Sequence, residues 1–292
     1  MVISSTTLEA YGGSYPMTQD KRFQRPHNLA YAQEHAFIKA RSVLAFSPHL
    51  DDAALSAGAL LAGLAGLGTE VHVVTLFAGP PQESLSPVAH AFHHSCGLPH
   101  DATAVAVRRR EDLEAMMILG ARAHHAGLLD ALYRRRRDGR WLCDHDWAMF
   151  DATSPEEGIM AAVRASVERY RDLVMPDLII TCAAVGGHTD HLLSRTAVTA
   201  VAEMTETRLL LWEDLPYAIG TRLSQDIGKP IRQPVSSVDW ACKREAAARY
   251  ASQTRMLWPD RGDWAKALRD HALDRGAGQL VEVLWNPCAA AR

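Results

Sequence analysis

The stretch VLAFSPHLDDAALSAG (43–58) decides the reading of the whole chain. Four apolar residues (43–46) run into Ser-Pro, and His49, Asp51 and Asp52 then arrive within four positions. A small-residue helical pattern follows at once over 53–67, and Gly68 is a suitable stop for it. The sequence EVHVVTLFAG (70–79) is β-branched and apolar, a second strand. Strand, helix and strand within ~40 residues form a βαβ unit, which implies parallel pairing and a right-handed crossover.

The same alternation continues downstream. RRREDLEAMMILGARAHH (108–125) places Leu113, Met116, Met117 and Gly120 at helical spacing and predicts a helix lying on the sheet. AGLLDALYRRRRDGRW (126–141) reads as a short strand entering a basic loop. A helix is expected over 156–170, with Met160, Val163 and Val167 on one face. Pro176 breaks it, and DLIITCAAVGGHTDH (177–191) gives a strand over 178–183, a glycine turn and a helix opening near His191. RLLLWEDLPYA (208–218) is a further strand and loop, 240–257 a helix, and GQLVEVLW (278–285) an edge strand. Residues 82–107 show no clear period. The fold class expected is α/β: a Rossmann-like open, mostly parallel sheet with helices on both faces, a three-layer sandwich. Residues 1–40 read as a leader, and 41–292 as one domain with a C-terminal subregion from about 210.

Bulk composition narrows the function. Of the 292 residues, 48% are apolar and 22% charged, enough to build a core of ordinary soluble type. A formal charge of −3 gives no cationic field of the kind a phosphate backbone requires, so nucleic acid is not expected as a partner. The apolar run 53–68 is interrupted by four glycines and falls short of the ~20 residues of a membrane span. The polar start of the chain lacks the apolar core of a signal peptide, which predicts a cytoplasmic location with no membrane partner. Cys96, Cys143, Cys182, Cys242 and Cys288 are scattered and form no C-x-x-C pair, as expected of reduced thiols. A homo-oligomer is compatible with the sequence.

In open α/β sheets ligands bind beyond the carboxyl ends of the strands, and both polar clusters lie there: His49, Asp51 and Asp52 after one strand, His188, Asp190 and His191 after another. Adjacent carboxylates at a helix start are often only caps for free N–H groups. Two such clusters at equivalent points of two βα units favour a metal site instead. A catalytic zinc takes about three nitrogen or oxygen ligands. His49, Asp52 and His191 supply them, leaving Asp51 to take a proton from the attacking water, protonated His188 to stabilise an oxyanion or donate to a leaving amine, and Asp190 to orient a histidine. Bound metal lowers the pKa of water and polarises a carbonyl, which is the chemistry of amide or ester hydrolysis.

SPHLDDAALSAG together with GGHTDHLLSRTA resembles the LmbE-like, PIG-L type family of zinc-dependent N-deacetylases, whose signatures are P-H-x-D-D and H-x-D-H. The resemblance implies His49, Asp52 and His191 as zinc ligands, Asp51 as general base, His188 as polarising or general-acid residue and Asp190 as its orienting partner. RRREDLEAMMILGA is similar to the family's arginine-bearing helix and implies that Arg109 or Arg110 faces the substrate. WEDLPYA and KREAAARYASQ resemble later family segments, so the likeness spans about 41–257. Leu50, Ala53 and Ala57-Gly58 depart from the commonest pattern and remove no metal or catalytic atom.

Other residues carry weaker expectations. Glu213, Asp214 and Tyr217 follow a strand's carboxyl end, where they would bind sugar hydroxyls or shape a turn. Arg134 and its three arginine neighbours form a solvated loop or, beside Asp130, touch an anionic substrate group. His124-His125 and the group His90, His93 and His94 suggest a second metal only weakly, since loop histidines without matched carboxylates are usually solvated.

The function expected is hydrolytic removal of an N-acyl, foremost N-acetyl, group from an amino sugar or related small molecule, with one Zn2+ per chain or another divalent ion such as Fe2+. An amidase acting on a thiol-sugar conjugate or natural-product amide is the same-class alternative. A nucleotide-binding module would need a G-x-G-x-x-G turn where SPHLDD stands. A non-catalytic binding protein would lack one of the ligands, and none is missing.

Overall fold

The computed structural model describes residues 38–82, 84–145, 147–151, 158–221, 223, 227–258 and 263–287. Its strands are β1 (Ser42–Ser47), β2 (Glu70–Thr75), β3 (Arg122–His125), β4 (Leu178–Cys182), β5 (Arg208–Trp212), β6 (Lys229–Pro234) and β7 (Val281–Asn286). They form one sheet in the order β3-β2-β1-β4-β5-β7-β6. The first five are parallel, and β7 and β6 are added antiparallel. From β1 the chain builds outward through β2 and β3, then returns to lay β4 and β5 on the other side. The switch in direction therefore falls between β1 and β4, the place where such sheets open a crevice.

The period of two in the strands explains the layers. In β1, Leu44 and Phe46 join one apolar cluster while Val43 and Ala45 join the other. In β5, Leu209 and Leu211 likewise oppose Leu210 and Trp212. The first face carries α4 (Ile159–Val174), α5 (Thr189–Met204) and α8 (Trp264–Arg275). The second is covered by α1 (Asp52–Gly66), α3 (Thr103–Leu119) and α6 (Ser237–Ala247). Each fully buried Leu or Phe contributes about 1.5–3 kcal/mol.

Small residues let α1 lie close to its neighbour: a Cβ on Gly58 would stand 3.1 Å from Lys243 Cγ. The helix is kinked at Ala57 (φ −131°, ψ 16°), and the N–H groups of Ala59 and Leu60 instead donate to the buried Glu282 carboxylate at 3.1 and 2.6 Å. Lys243 Nζ donates to the same carboxylate at 2.6 Å. The kink frees the Ser56 hydroxyl to accept the Leu215 N–H at 3.0 Å, tying α1 to the loop after β5.

Several boundaries differ from the sequence expectation. The strand sought in 126–141 is the short edge strand β3 just before it, and the later stretch contains a single 3-10 turn, Ala131–Tyr133. The stretch 82–107 contains a helix, α2 (Pro87–Cys96), capped by Ser86. The long helix over 240–257 is two helices, α6 and α7 (Ala251–Leu257), with Tyr250 fully buried at the break and its hydroxyl donating to Asp112 at 2.8 Å. β7 is interior, and the sheet ends on β6, whose Pro230 and Pro234 are tolerated because an edge strand leaves N–H positions unused. The four described cysteines are buried thiols, and Cys288 lies outside the described residues. No helix among the described residues is long and apolar enough to cross a membrane.

Candidate active site

The turn after β1 builds the first half of the site. Ser47 Oγ donates to the His49 carbonyl at 2.6 Å and accepts the Ala53 N–H at 3.1 Å, which fixes the turn's backbone. Asp52 Oδ2 accepts the His49 N–H at 2.8 Å, holding that carboxylate beside the imidazole. Asp51 occupies the N-cap position of α1, yet its side chain makes no capping bond. Its carboxylate is therefore directed to the cleft, which separates it from an ordinary helix cap.

The second half follows β4. Gly186 and Gly187 adopt φ of +88° and +76°, and a Cβ on Gly186 would meet the Tyr217 ring at 3.0 Å. This tight turn delivers His188 as the N-cap of α5 and places Asp190 and His191 in its first turn. His191 Nε2 lies 3.3 Å from His49 Nδ1 and 3.3 Å from Asp52 Oδ2, and His49 Nδ1 lies 3.4 Å from that same oxygen. Four ligands set tetrahedrally at ~2.0–2.1 Å from an ion stand ~3.3–3.4 Å apart. The three donors thus have the spacing of three corners of such a site.

Both imidazoles are held from behind by carboxylates. His191 Nδ1 donates to Asp214 Oδ1 at 2.7 Å, and Asp214 Oδ2 accepts the Val185 N–H at 2.9 Å. His49 Nε2 lies 3.2 Å from Asp190 Oδ2, which also accepts the Ala131 N–H at 2.9 Å. Arg134 Nη1 reaches Asp190 Oδ1 at 2.7 Å. Such carboxylate partners fix ring orientation and leave the opposite nitrogen available as a ligand.

The electrostatics calls for a cation. Five buried carboxylates, Asp51, Asp52, Asp130, Asp190 and Asp214, face two buried guanidiniums, Arg108 and Arg134. Against burial, which would lower it, Asp52 and Asp214 push the His191 imidazole up to about 10. His49 is likewise held well above its usual value despite burial, by Asp130, Asp190 and Asp52. Burial disfavours ionised Asp52, but the two imidazoles hold it well below the carboxylate range. Burial, reinforced by Asp52 and opposed by Arg108, pushes Asp51 up to about 6. A divalent ion fits this donor set, since two imidazoles and a carboxylate are borderline ligands suited to it.

His188 differs from the other two histidines. Burial and the neighbouring His49 push it well below the usual imidazole value, and its Nδ1 accepts the Asp190 N–H at 3.2 Å. The ring proton accordingly resides on Nε2. The sequence expectation has His188 protonated, whereas burial beside His49 favours the neutral ring. The Asp190 carboxylate meets His49, one of the histidines it is expected to orient, and its backbone N–H meets His188, the partner that the resemblance implies.

The expected substrate contacts separate. Asp130 and Tyr217 line the cleft with His49, Asp51 and His188. The arginine facing the cleft is Arg108, 5% exposed, with Nη2 3.6 Å from Asp51 and Nη1 3.9 Å from Asp130. Arg109 instead donates to the Ala78 carbonyl at 2.8 Å, and exposed Arg110 pairs with Glu114 at 3.1 Å. The register of α3 is the reason: its buried stripe is Val105, Arg108, Asp112, Ala115, Met116 and Leu119, whereas Leu113 and Met117 are exposed. Glu213 lies away from this cleft, engaged by His271, Arg275 and Trp285 at 2.9–3.3 Å. Arg134 meets Asp190 and Asp214 meets His191, and neither is among the residues that line the cleft.

The family model for PIG-L, GlcNAc-PI de-N-acetylase, matches residues 44–202, more than half the chain and both halves of the site. The chain belongs to the PIG-L family. Within it, 2'-N-acetylparomamine deacetylase of Streptomyces fradiae is 31% identical over 87% of this chain and 92% of its own length. The 1D-myo-inositol 2-acetamido-2-deoxy-alpha-D-glucopyranoside deacetylase of Corynebacterium diphtheriae is 26% identical over 83% of this chain and 76% of its own. The crystal structure of a zinc-inhibited form of teicoplanin deacetylase superposes with a TM-score of 0.75 at 34% identity, covering 84% of this chain and 97% of that one. This PIG-L member is an N-deacetylase, an enzyme that hydrolyses an amide bond.

Proposed function

We propose that this enzyme removes the acetyl group from the nitrogen of an amino sugar carried on a larger natural-product scaffold. The observation that carries this reading is the tetrahedral spacing of His49, Asp52 and His191 beside an uncapped, buried Asp51. The relatives named for acetylparomamine and teicoplanin support the substrate class. We assign Zn2+ to the three donors, with Fe2+ accepted by the same set.

When bound, such an ion lowers the pKa of a water molecule and polarises the amide carbonyl. Asp51 takes a proton from the attacking water as the water's oxygen adds to the amide carbon. His188 Nε2–H donates to the former carbonyl oxygen as negative charge grows there, a stabilisation typically worth about 2.7–4 kcal/mol per donor. The carbon–nitrogen bond then breaks, Asp51 returns its proton to the departing nitrogen, and acetic acid and the amine result, the acid's proton passing to the amine to leave acetate and an ammonium group. Arg108 balances Asp51 and Asp130 and, with Tyr217, borders the space for the sugar.

Amine release measured across N-acetylated amino sugars, N-acetylated aminoglycoside and glycopeptide antibiotics, and simple N-acyl amino acids tests the reading. Turnover is expected on the sugar-bearing compounds. Turnover confined to N-acyl amino acids would overturn the substrate class, and none on any amide would overturn the activity.

A further inference from the structure

Away from the cleft, the sequence HAFHHSCGLPH (90–100) gathers three exposed imidazoles. His90 and His94 stand one turn apart on α2, so their side chains share a face. The helix stops at Gly97, whose left-handed φ of 67° lets the chain reverse, with the Leu98 N–H donating to the His93 carbonyl at 2.8 Å. His93, buried in the same turn, donates from Nδ1 to the Pro99 carbonyl at 2.7 Å and accepts the Tyr133 hydroxyl at 2.7 Å. This pinned turn returns His100 onto the helix. His90 Nδ1 and His100 Nδ1 face one another at 3.3 Å, and the His100 ring lies 5.5 Å from that of His90 and 6.2 Å from that of His94.

We propose that His90, His94 and His100 form a surface site for a borderline transition-metal cation such as Zn2+, separate from the catalytic centre. The facing nitrogens of His90 and His100 already have the ~3.3–3.4 Å separation of two ligands on one tetrahedral ion. His94 is exposed, and its helical position one turn from His90 is that of paired histidine ligands in helical zinc motifs. His72 and His124, 3.0 Å apart and packed beside Tyr170, offer a contrast: among the described residues their pair has no third imidazole one helical turn away to complete a site. An ion at His90, His94 and His100 would tie α2 to the segment entering α3. Those helices carry Phe92 and Arg108 to the cleft, so occupancy would stiffen one wall of the pocket.

The test is metal content after equilibration of the whole protein with excess Zn2+, compared between wild type, His90→Ala/His100→Ala and His94→Ala. The expected result is one ion fewer per chain in the double variant, with unchanged far-ultraviolet circular dichroism, and at least partial loss in His94→Ala. Imidazole 15N spectra of the unmodified protein provide a second reading that needs no variant: zinc added beyond the first equivalent should move the signals of His90, His94 and His100. Equal metal content in the double variant and wild type would overturn the site, as would zinc-induced shifts confined to His49, His188 and His191.

Discussion

Replacing Asp214 by asparagine exchanges one oxygen for an amide nitrogen in a buried side chain that performs two tasks. Its Oδ1 accepts from His191 Nδ1 at 2.7 Å and its Oδ2 from the Val185 N–H at 2.9 Å. A hydrogen bond to a charged group contributes about 1.5–3 kcal/mol and a neutral one about 0.5–1.5 kcal/mol. If the amide oxygen keeps His191, the loss is about 1–1.5 kcal/mol, or roughly five- to tenfold in metal affinity at about 1.4 kcal/mol per decade. The Val185 N–H is then left facing an NH2 group, which costs about 1–3 kcal/mol of folding stability whether or not metal is present. Asp214→Ala removes the His191 partner altogether, and the expected loss of metal affinity is about 10–100-fold. Competition against a chromophoric chelator measures the affinity, and urea unfolding of metal-stripped protein measures the stability. Metal affinity within twofold of wild type in Asp214→Ala would refute the claim that Asp214 holds His191 as a ligand.

The placement of Arg108 at the cleft, rather than Arg109 or Arg110, predicts that Arg108→Lys lowers kcat/KM on an N-acetyl amino sugar, while Arg110→Ala leaves kinetics unchanged and shifts stability by no more than about 0.5 kcal/mol. Equal kinetic effects from both would contradict the placement of α3. Glu282→Ala strands the buried Lys243 charge and two N–H groups at the α1 kink, with an expected loss of about 3–5 kcal/mol in urea unfolding. Adding Lys243→Met should recover much of it, and no recovery would count against an unpaired charge as the cause. Burial lowers His124 to about 4, so the folded chain binds fewer protons there than the unfolded chain, and stability falls as pH drops from about 6.5 towards 4. His124→Gln should therefore show a smaller drop in Tm between pH 7 and pH 4.5; an unchanged drop would remove His124 as a contributor.

Where each residue signal was strong, sequence alone placed it. The strand β1, the small-residue helix α1 and the strand β4 carry patterns buried on both faces, and His49, Asp51, Asp52, His188 and His191 follow directly on strand ends that the α/β alternation makes adjacent. Arg108 escapes the sequence reading because, of the residues that mark the period of α3, Met116 is buried but Leu113 and Met117 are exposed, so the pattern does not single out the inward face. The buried stripe passes through Arg108 and Asp112, and charged residues do not announce an inward face. Arg134 begins a run of four arginines whose residue type cannot distinguish the one that meets Asp190. Asp214 lies 23 positions after His191, so its bond to the ring exists only once β5 has paired with β4. The helix α2 did have signals, a Ser-Pro start and a Gly stop, but its histidines obscured the period. β6, with two prolines, reads as loop until β7 supplies its partner.

The claim on which the rest depends is that Asp51 works on water while its neighbours hold the metal. Asp51→Asn separates the two jobs, since the amide preserves size while removing the base, and general-base assistance is typically worth about 10²–10⁴-fold. The decisive measurement pairs metal content with single-turnover amine release on the same Asp51→Asn sample. The account predicts wild-type metal content with a rate lower by that factor. Loss of the metal would instead make Asp51 a ligand, and full metal with an undiminished rate would contradict its role as base.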